Sequence, residues 1–316
     1  KPGVILAFLT YFNMIMQGAM GVNRIFMMLS KATASANRIA GVLAADDDQK
    51  VLPASECKEP AGDEFIRFEH VDFRYGEGSE NGSFAGAERG KCLSDISFAL
   101  KRGESLGIIG PTGCGKTTIV NLLMRFYDAQ SGGVFVDGRD VRSYEKDELR
   151  RKFGVVFQND MVFFNTLREN IRFGRELDDR ELMRAVEDAA ASEYIGSLEG
   201  GLDYRADIKG ANLSGGQKQR LLISRALAGD PEILILDDSS SALDYKTDAA
   251  LRRAIFEHHA HSTTILIAQR VSSVQNMTHI LVLDNGRCIG YGTHAELLKT
   301  CPAYRETYRA QMGALD

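Results

Sequence analysis

The feature that most constrains this chain is a glycine-rich stretch, GPTGCGKTT, at residues 110–118. It follows a short apolar run at 105–110 and precedes a segment with helical spacing at 117–127, so it joins a strand to a helix. Its glycines allow backbone N–H groups to turn towards phosphate oxygens, and the helix that follows adds its positive N-terminal end. The pattern therefore predicts a phosphate-binding loop rather than a glycine-rich turn that binds nothing.

Three side chains have the chemistry that a bound triphosphate requires. Lys116 would reach the β- and γ-phosphates, and Thr117 would ligate Mg²⁺. Asp237 closes the apolar run ILILD, and an acid at the carboxyl tip of a buried strand can hold magnesium beside a phosphate loop. Taken alone, Asp237 would be a strand-end carboxylate that caps a loop, but the phosphate loop favours the metal-binding interpretation.

Strands and helices alternate on both sides of this loop, which predicts a parallel sheet covered by helices on both faces. An Asn-Gly pair within 280–292 predicts a hairpin. Residues 160–228 contain no good strand and predict a helical insertion, whereas 76–91, rich in glycine and charge, predict an exposed loop. The other predicted strands are 65–75, 105–110, 154–158, 232–238 and 263–269, and helical spacing is found at 179–196 and 245–258.

The chain begins with an apolar segment. Residues 2–23 carry no charge, and this is about the length of a bilayer-spanning helix. Three basic residues follow within 24–38, as they do at the cytoplasmic end of a span, and the segment lacks the basic start and cleavage site of a signal peptide. We predict a membrane span or its cytoplasmic half, although Asn13 and Gln17 would also fit a buried helix of a soluble oligomer.

Composition divides the chain and excludes several classes of protein. We predict a membrane helix with a cytoplasmic extension at 1–45, a linker at 46–63 and a globular body at 64–316. With 26% charged and 44% apolar residues, the chain is neither disordered nor collagen-like. A net charge of −5 disfavours a nucleic-acid partner. Five cysteines without a CxxC pair predict reduced thiols rather than a disulfide framework.

A second glycine pair opens another helix in the stretch LSGGQ at 213–217. Ser214 and Gln217 have the spacing of a capping box, so local helix capping explains them without a ligand. Gly215 and Gly216 behind a serine cap also leave bare N–H groups, which suit a phosphate. The residues alone leave both interpretations open.

Taken in order, these motifs resemble those of an ABC-type ATPase. The phosphate loop, Gln158, LSGGQ, ILILD and 241–244 look like its phosphate loop, Q-loop, signature, magnesium-acid strand and D-loop, and the resemblance covers about residues 64–312. It implies an α/β P-loop NTPase fold with a RecA-like parallel sheet, an antiparallel β subdomain and a helical insertion at 160–228. Residues 1–45 then look like the end of the last transmembrane helix of an exporter.

The resemblance also implies how nucleotide is bound. Two such bodies would hold two ATP molecules with Mg²⁺, each between the phosphate loop of one body and the signature of the other. Gln158 would contact Mg²⁺ or the attacking water, and Tyr75 would stack on adenine; taken alone, Gln158 has no function and Tyr75 is a half-buried core residue. The implied nucleotide-binding residues are Tyr75, Gly110, Pro111, Thr112, Gly113, Cys114, Gly115, Lys116, Thr117, Thr118, Ser214, Gly215, Gly216, Gln217 and Asp244.

Two positions depart from the family pattern. Asp238 stands where the family usually has the Glu that polarises attacking water, and Gln269 stands where it usually has His. Asp is about 1 Å shorter than Glu, and a misplacement of that size can lower a rate on the order of 100-fold. Gln269 can donate a hydrogen bond but cannot carry a proton or a positive charge. Unless the changes are neutral, they predict retained ATP binding with impaired hydrolysis at this chain's own catalytic residues, Asp238, Gln269 and Gln158.

The motifs therefore favour the ATP-binding subunit of a heterodimeric exporter in the cell membrane, with its body on the cytoplasmic side and a second half-transporter as partner. The intact signature would then serve the ATP of the partner. A homodimeric exporter in which Asp238 suffices is the first alternative. A non-hydrolysing, ATP-gated interaction module is the second.

Overall fold

The computed structural model describes residues 2–44, 49–76, 92–237 and 243–313. Most of the loop predicted at 76–91 lies outside these residues, and so does Asp238. The chain divides into two units, 1–50 and 51–316.

The first unit is a single long helix, α1 (Pro2–Leu43). Its 42 residues correspond to about 63 Å at the α-helical rise. The mean hydropathy reaches 1.4 over an 18-residue window of α1, and none of that window is buried. By length and composition α1 can therefore cross a membrane, as its apolar sequence predicts.

Within the described ranges, the strands of the second unit form two sheets, one of six strands and one of four. The strands are β1 (Ile66–Phe73), β2 (Leu93–Leu100), β3 (Ser105–Ile109), β4 (Ser131–Val136), β5 (Arg139–Asp140), β6 (Phe153–Val156), β7 (Ile233–Asp237), β8 (Thr263–Ile267), β9 (His279–Asp284) and β10 (Arg287–Gly292). The helices are α2 (Lys116–Leu123), α3 (Lys146–Arg151), α4 (Leu167–Arg172), α5 (Asp179–Asp188), α6 (Ser192–Ser197), α7 (Gly215–Leu227), α8 (Tyr245–His258), α9 (Val271–Val274), α10 (His294–Thr300) and α11 (Pro302–Met312).

The larger sheet has the strand order β10-β9-β3-β8-β7-β6. The strands from β9 to β6 pair in parallel, and β10 is antiparallel to β9. The hairpin prediction is confirmed: Asp284 pairs with Arg287 across a turn in which Asn285 and Gly286 have φ values of 46° and 74°. Positive φ at both central residues is the geometry that an Asn-Gly turn adopts most easily. The smaller sheet, β2-β1-β4-β5, is antiparallel.

Each face of the larger sheet contributes to a separate hydrophobic cluster. Ile233 and Ile235 of β7 pack into a cluster with α2 and the smaller sheet. Leu234 and Leu236, which point to the opposite face, pack with α5 and α7. Every residue of β7 is buried, which explains why its sequence is an unbroken apolar run ending in one acid. The predicted α/β fold, with its parallel sheet covered on both faces, is confirmed.

The described residues between β6 and β7 form the helices α4 to α7, in the region predicted as a helical insertion. The helical prediction for 179–196 was wrong in one respect, because this segment forms two helices, α5 and α6. They are separated at Ala190, whose φ of 53° is incompatible with a continuing right-handed helix. Leu182 and Val186 on one face of α5 are buried, as the helical spacing requires.

Residues 51–63, within the segment predicted as a linker, are hydrogen bonded to the body. The Leu52 N–H donates to the Arg142 carbonyl oxygen at 2.9 Å. The Lys58 ammonium donates to the Gly132 carbonyl oxygen at 2.7 Å. All five cysteines are free thiols, as the sequence predicts.

Candidate functional site

The phosphate loop connects the end of β3 to the start of α2 and is shaped by two glycines with left-handed backbone. Gly113 and Gly115 have φ values of 83° and 104°. A Cβ on Gly115 would lie 2.6 Å from Leu93 Cδ2 and 3.0 Å from the Cys92 carbonyl oxygen, whereas one on Gly113 would meet nothing within 4 Å. Gly115 is therefore required by packing and by backbone conformation, and Gly113 by conformation alone.

Gly115 is also the N-cap of α2, and no side chain caps this helix start. The first N–H groups of a helix have no partner within the helix, so at α2 they are available to a ligand. The burial of Cys114 raises the pKa of its thiol, so the loop carries no thiolate at neutral pH to repel an anion.

The Lys116 side chain lies across the mouth of the loop. Its ammonium donates hydrogen bonds to the Gly110 and Pro111 carbonyl oxygens, both at 2.8 Å. These backbone contacts hold a full positive charge beside the bare start of α2. The combination favours a multiply charged anion at this point.

The two predicted magnesium ligands lie in contact with each other. Thr117 Oγ1 donates to Asp237 Oδ2 at 3.0 Å, although the two residues are 120 positions apart. Asp237 ends β7 and is only 3% exposed. A hydroxyl and a carboxylate oxygen at one place are the hard ligands that Mg²⁺ prefers, so the pair fits that ion.

The loop opens into a cavity of about 270 Å³. Besides Thr112, Gly113 and residues 115–118 of the loop, its lining includes Gln158, Asp237 and Gln269, which follow or end the adjacent parallel strands β6, β7 and β8. Ligands of open α/β sheets bind at this carboxyl edge. The structure thus places Gln158, Asp237 and Gln269 together beside the loop, whereas Tyr75, Gly110, Pro111 and Cys114 do not line this cavity. Asp238, the carboxylate predicted to polarise water, lies outside the described residues.

A residue that the sequence did not indicate, Gln311 of α11, holds the segment around Gln269. Its Nε2 donates to the Gln269 carbonyl oxygen at 2.8 Å, and its Oε1 accepts the Val271 N–H at 2.7 Å. The same face of α11 borders a groove of about 540 Å³ that Gly110, Pro111 and Gln269 also line. Helix α11 therefore stabilises the backbone around Gln269, one of the two positions that depart from the family pattern.

Tyr75 lies beside α2 and is 44% exposed. Its hydroxyl donates to Thr118 Oγ1 at 3.2 Å and accepts from Asn121 Nδ2 at 3.2 Å. The ring makes edge contacts with Phe73 and Tyr127, with centroids 4.7 and 5.1 Å apart. These contacts fix the ring orientation and leave part of it accessible, which is compatible with the predicted stacking on adenine.

The signature residues form the capped start of α7. The Gln217 N–H donates to Ser214 Oγ at 3.3 Å, and the Ser214 N–H donates to Gln217 Oε1 at 2.8 Å, which confirms the predicted capping box. Ser214 and Gly215 are exposed, Gly216 follows them, and residues 214–217 do not belong to the lining of the cavity in the same chain.

Asp244, predicted in the D-loop, caps α8 instead of lining the described cavity. Its carboxylate accepts the Thr247 N–H at 2.9 Å and the Thr247 hydroxyl at 2.7 Å. These hydrogen bonds, the backbone one first, lower the pKa of the Asp244 carboxyl, so it is ionised at neutral pH.

Comparison with known proteins also points to an ABC-type ATPase. Residues 93–241 match the family described as ABC transporter, and this range contains the phosphate loop, Gln158, the signature and β7. The chain is 35% identical over 312 residues to the "Fatty acid ABC transporter ATP-binding/permease protein" of Mycobacterium bovis, covering 98% of this chain and 47% of that protein. It is 41% identical over 233 residues to the "ATP-dependent lipid A-core flippase" of Vibrio vulnificus, covering 73% of this chain and 40% of that protein.

A solved structure is also similar. It is titled "Structure of a bacterial Atm1-family ABC exporter with ATP bound", and it superposes with a TM-score of 0.74 at 32% identity, covering 84% of this chain and 45% of that one. The chain spans about half the length of the curated relatives it matches. On its motifs, its fold and these similarities, the chain belongs to the ABC transporter ATPase family.

Proposed function

We propose that this chain is the ATP-binding part of an ABC exporter, and that it binds MgATP tightly but hydrolyses it slowly at its own site. The observation that carries the proposal is the cavity at the carboxyl edge of the sheet. There the phosphate loop, the Thr117–Asp237 pair and Gln269 lie together. ATP would enter with its phosphates against the start of α2.

The chain's own residues account for the binding. Lys116 would exchange its hydrogen bonds with the loop carbonyl oxygens for bonds to phosphate oxygens, and the N–H groups at the start of α2 would complete the cradle. Thr117, Asp237 and Gln158 would hold Mg²⁺, which neutralises charge on the phosphates when bound. Tyr75 would stack on the base, because its ring is partly exposed beside α2.

Slow hydrolysis follows from the two substituted positions. Asp238 has the basicity of a Glu but a shorter reach, so its carboxylate would hold the attacking water about 1 Å too far from the phosphate. Gln269 would offer one neutral hydrogen bond to the charge that develops on the phosphate, where a histidine could carry a positive charge. Neither change alters the loop that grips the nucleotide.

The signature supports a second body as the partner. Residues 214–217 begin α7 with exposed positions and lie outside the cavity of their own chain. A nucleotide in the cavity of another body would be the ligand that this intact motif serves. Since this chain combines an intact signature with changed catalytic positions, we propose a heterodimer whose partner has Glu and His at these two positions.

The membrane side of the proposal rests on α1. Its apolar composition and its length fit the end of a transmembrane helix that continues into the cytoplasm. The ATP-binding body would therefore lie on the cytoplasmic side of the cell membrane. The closed pair of bodies would bind ATP better than the open pair, so ATP binding would favour closure. The movement of the bodies on closure would be transmitted to the membrane domain.

The test compares ATP hydrolysis by the purified wild-type chain with that of the double variant Asp238→Glu, Gln269→His. We expect slow turnover by the wild-type chain and a gain on the order of 100-fold in the double variant, with ATP affinity unchanged. Adding Lys116→Ala to the double variant should remove the gain, which controls for contaminating ATPases. Rapid turnover by the wild-type chain alone would contradict the proposal and favour a homodimeric exporter.

A further inference from the structure

A cluster of histidines and acids lies at the amino edge of the larger sheet, opposite the edge that carries the nucleotide cavity. Asp230 lies in the loop that leads from α7 into β7, and His259 and His261 lie in the loop that leads from α8 into β8. Because β7 and β8 are adjacent and parallel, the two loops meet. The Thr263 N–H donates to the Glu232 carbonyl oxygen at 2.9 Å beside them.

Each of the three side chains offers one ligand atom to a common point. Asp230 Oδ1 lies 3.3 Å from His259 Nδ1 and 3.1 Å from His261 Nε2. The three ligand atoms all lie within 4.8 Å of one another. Two imidazole nitrogens and one carboxylate oxygen form a donor set typical of zinc.

The buried ring of His259 supplies an independent observation that points to a ligand. Its Nε2 lies 2.9 Å from Oδ2 of Asp188, a carboxylate only 2% exposed. A carboxylate accepts hydrogen bonds, so in the metal-ligating form of the ring the proton is on Nε2 and Nδ1 presents a lone pair. That Nδ1 is buried and has no hydrogen-bond partner, yet it faces Oδ1 of Asp230.

A metal ion between His259 Nδ1 and Asp230 Oδ1 would satisfy both atoms. The contact of Asp188 with the far nitrogen of His259 is the carboxylate–histidine arrangement that orients metal-bound imidazoles. His258 Nδ1 contacts the other oxygen of Asp188 at 2.5 Å, so that carboxylate is held from two sides. The orientation of His259 is therefore set before any ligand arrives.

We propose that Asp230, His259 and His261 bind a divalent transition-metal ion, with Zn²⁺ as the ion that suits the donor set. His261 and Asp230 are half exposed, so the ion has an entry path and water can supply a fourth ligand. The bound ion joins the loop after the signature helix α7 to the loop after α8, and through Asp188 it fixes the end of α5. Its effect is to stabilise the body, independently of nucleotide hydrolysis.

The test uses the full chain in detergent after treatment with a chelator. Titration with Zn²⁺ alone in a calorimeter should show one ion per chain, and the unfolding temperature should rise with Zn²⁺ and fall again on adding chelator. Asp230→Asn is the first variant, because asparagine tolerates the φ of 53° at this position while weakening the ligand. His261→Ala is the second, because this side chain is half exposed and its removal leaves no buried cavity. Each should lower the affinity for Zn²⁺ at least about tenfold.

A matched control is available on the smaller sheet. His70 Nδ1 lies 2.6 Å from Asp95 Oδ1, an exposed histidine–aspartate pair outside this cluster. His70→Ala should bind Zn²⁺ as the wild-type chain does. The proposal is overturned if the wild-type chain shows neither binding nor a shift in unfolding temperature. It is also overturned if His70→Ala loses as much affinity as His261→Ala, or if the two cluster variants bind as wild type.

Discussion

Two helix starts in this chain carry glycine-rich motifs, and they are built in opposite ways. The start of α2, after Gly115, has no side-chain cap and opens into a cavity that Lys116 and Asp237 also border. The start of α7 is capped by its own Ser214 and Gln217, and its first residues are exposed. The start of α2 lacks a cap and can be completed by a ligand, whereas the start of α7 is capped by its own residues and leaves Ser214 and Gly215 exposed.

The largest effect is expected from Gly115→Ala. A Cβ at Gly115 would meet Leu93 and the Cys92 carbonyl oxygen in addition to the strain of positive φ, so we expect a loss of about 2–5 kcal/mol in the free energy of unfolding. Urea denaturation followed by circular dichroism measures this. Gly113→Ala is the matched control, since it introduces only the φ strain and should cost about 1–2 kcal/mol. Equal losses would mean that packing against Leu93 does not define the loop.

A smaller effect, specific to the uncapped start, is expected from Lys116→Ala. Loss of a charge-assisted contact to phosphate should weaken ATP binding by about 1.5–3 kcal/mol, or roughly 10–150-fold, with little change in stability. Binding of ATP to the single chain is measured by calorimetry. Ser214→Ala in the same assay should bind like wild type, because Ser214 lies outside the cavity of its own chain. A comparable loss in both variants would erase the distinction between the two starts.

The capped start is tested by Ser214→Ala in the assembled transporter. We expect the loss of the cap to cost about 1 kcal/mol of stability, and turnover of the complex to fall because the partner's nucleotide loses a contact. Thr293→Ala removes the equivalent cap from α10, which also has a capping box. It should cost the same stability and leave turnover unchanged. If both variants lowered turnover equally, helix stability alone would explain the signature.

The smallest effect is expected at the support between α11 and the Gln269 segment. Gln311→Ala removes two hydrogen bonds to the backbone, one exposed and one partly buried, so stability should fall by about 0.5–1 kcal/mol while ATP affinity stays unchanged. Turnover of the assembled transporter should decrease, because the carbonyl and N–H on either side of Arg270 lose their anchor. Gln311→Glu keeps the oxygen that accepts the Val271 N–H and loses only the donor to the Gln269 carbonyl oxygen. Its loss of stability should be about half of the loss caused by Gln311→Ala. Unchanged turnover in both variants would exclude a role for α11 in positioning this segment.

The parts of the fold that the sequence predicted are those encoded by local patterns. The phosphate loop, the apolar strand at Ile233–Asp237 and the Asn-Gly hairpin each depend on residues that are neighbours along the chain. The division of 179–196 into two helices was not predictable in the same way. Alanine favours helices, yet Ala190 adopts a left-handed conformation, and its carbonyl oxygen accepts a hydrogen bond from Arg220, 30 positions away.

Site residues that belong to a sequence motif could be predicted. Contacts between side chains that are distant in sequence and belong to no motif could not. Thr117 and Asp237 could be paired in advance because each belongs to a recognisable pattern. Gln311 lies 42 positions from Gln269 and belongs to no pattern, so only folding reveals the contact. The contact of Asp188 with His259 is similar, since it joins the end of one helix to the end of another across 71 positions.

The length of helix α1 and its exposed apolar side chains affect the solubility of the chain. At about 63 Å it is roughly twice as long as the hydrocarbon thickness of a bilayer, so lipid can shelter only part of it. Yet its second half still exposes large apolar side chains, including Ile25 and Phe26, which are 67% and 71% accessible. Such exposed apolar side chains require cover by lipid, detergent or other polypeptide segments, and without it the isolated chain is expected to self-associate.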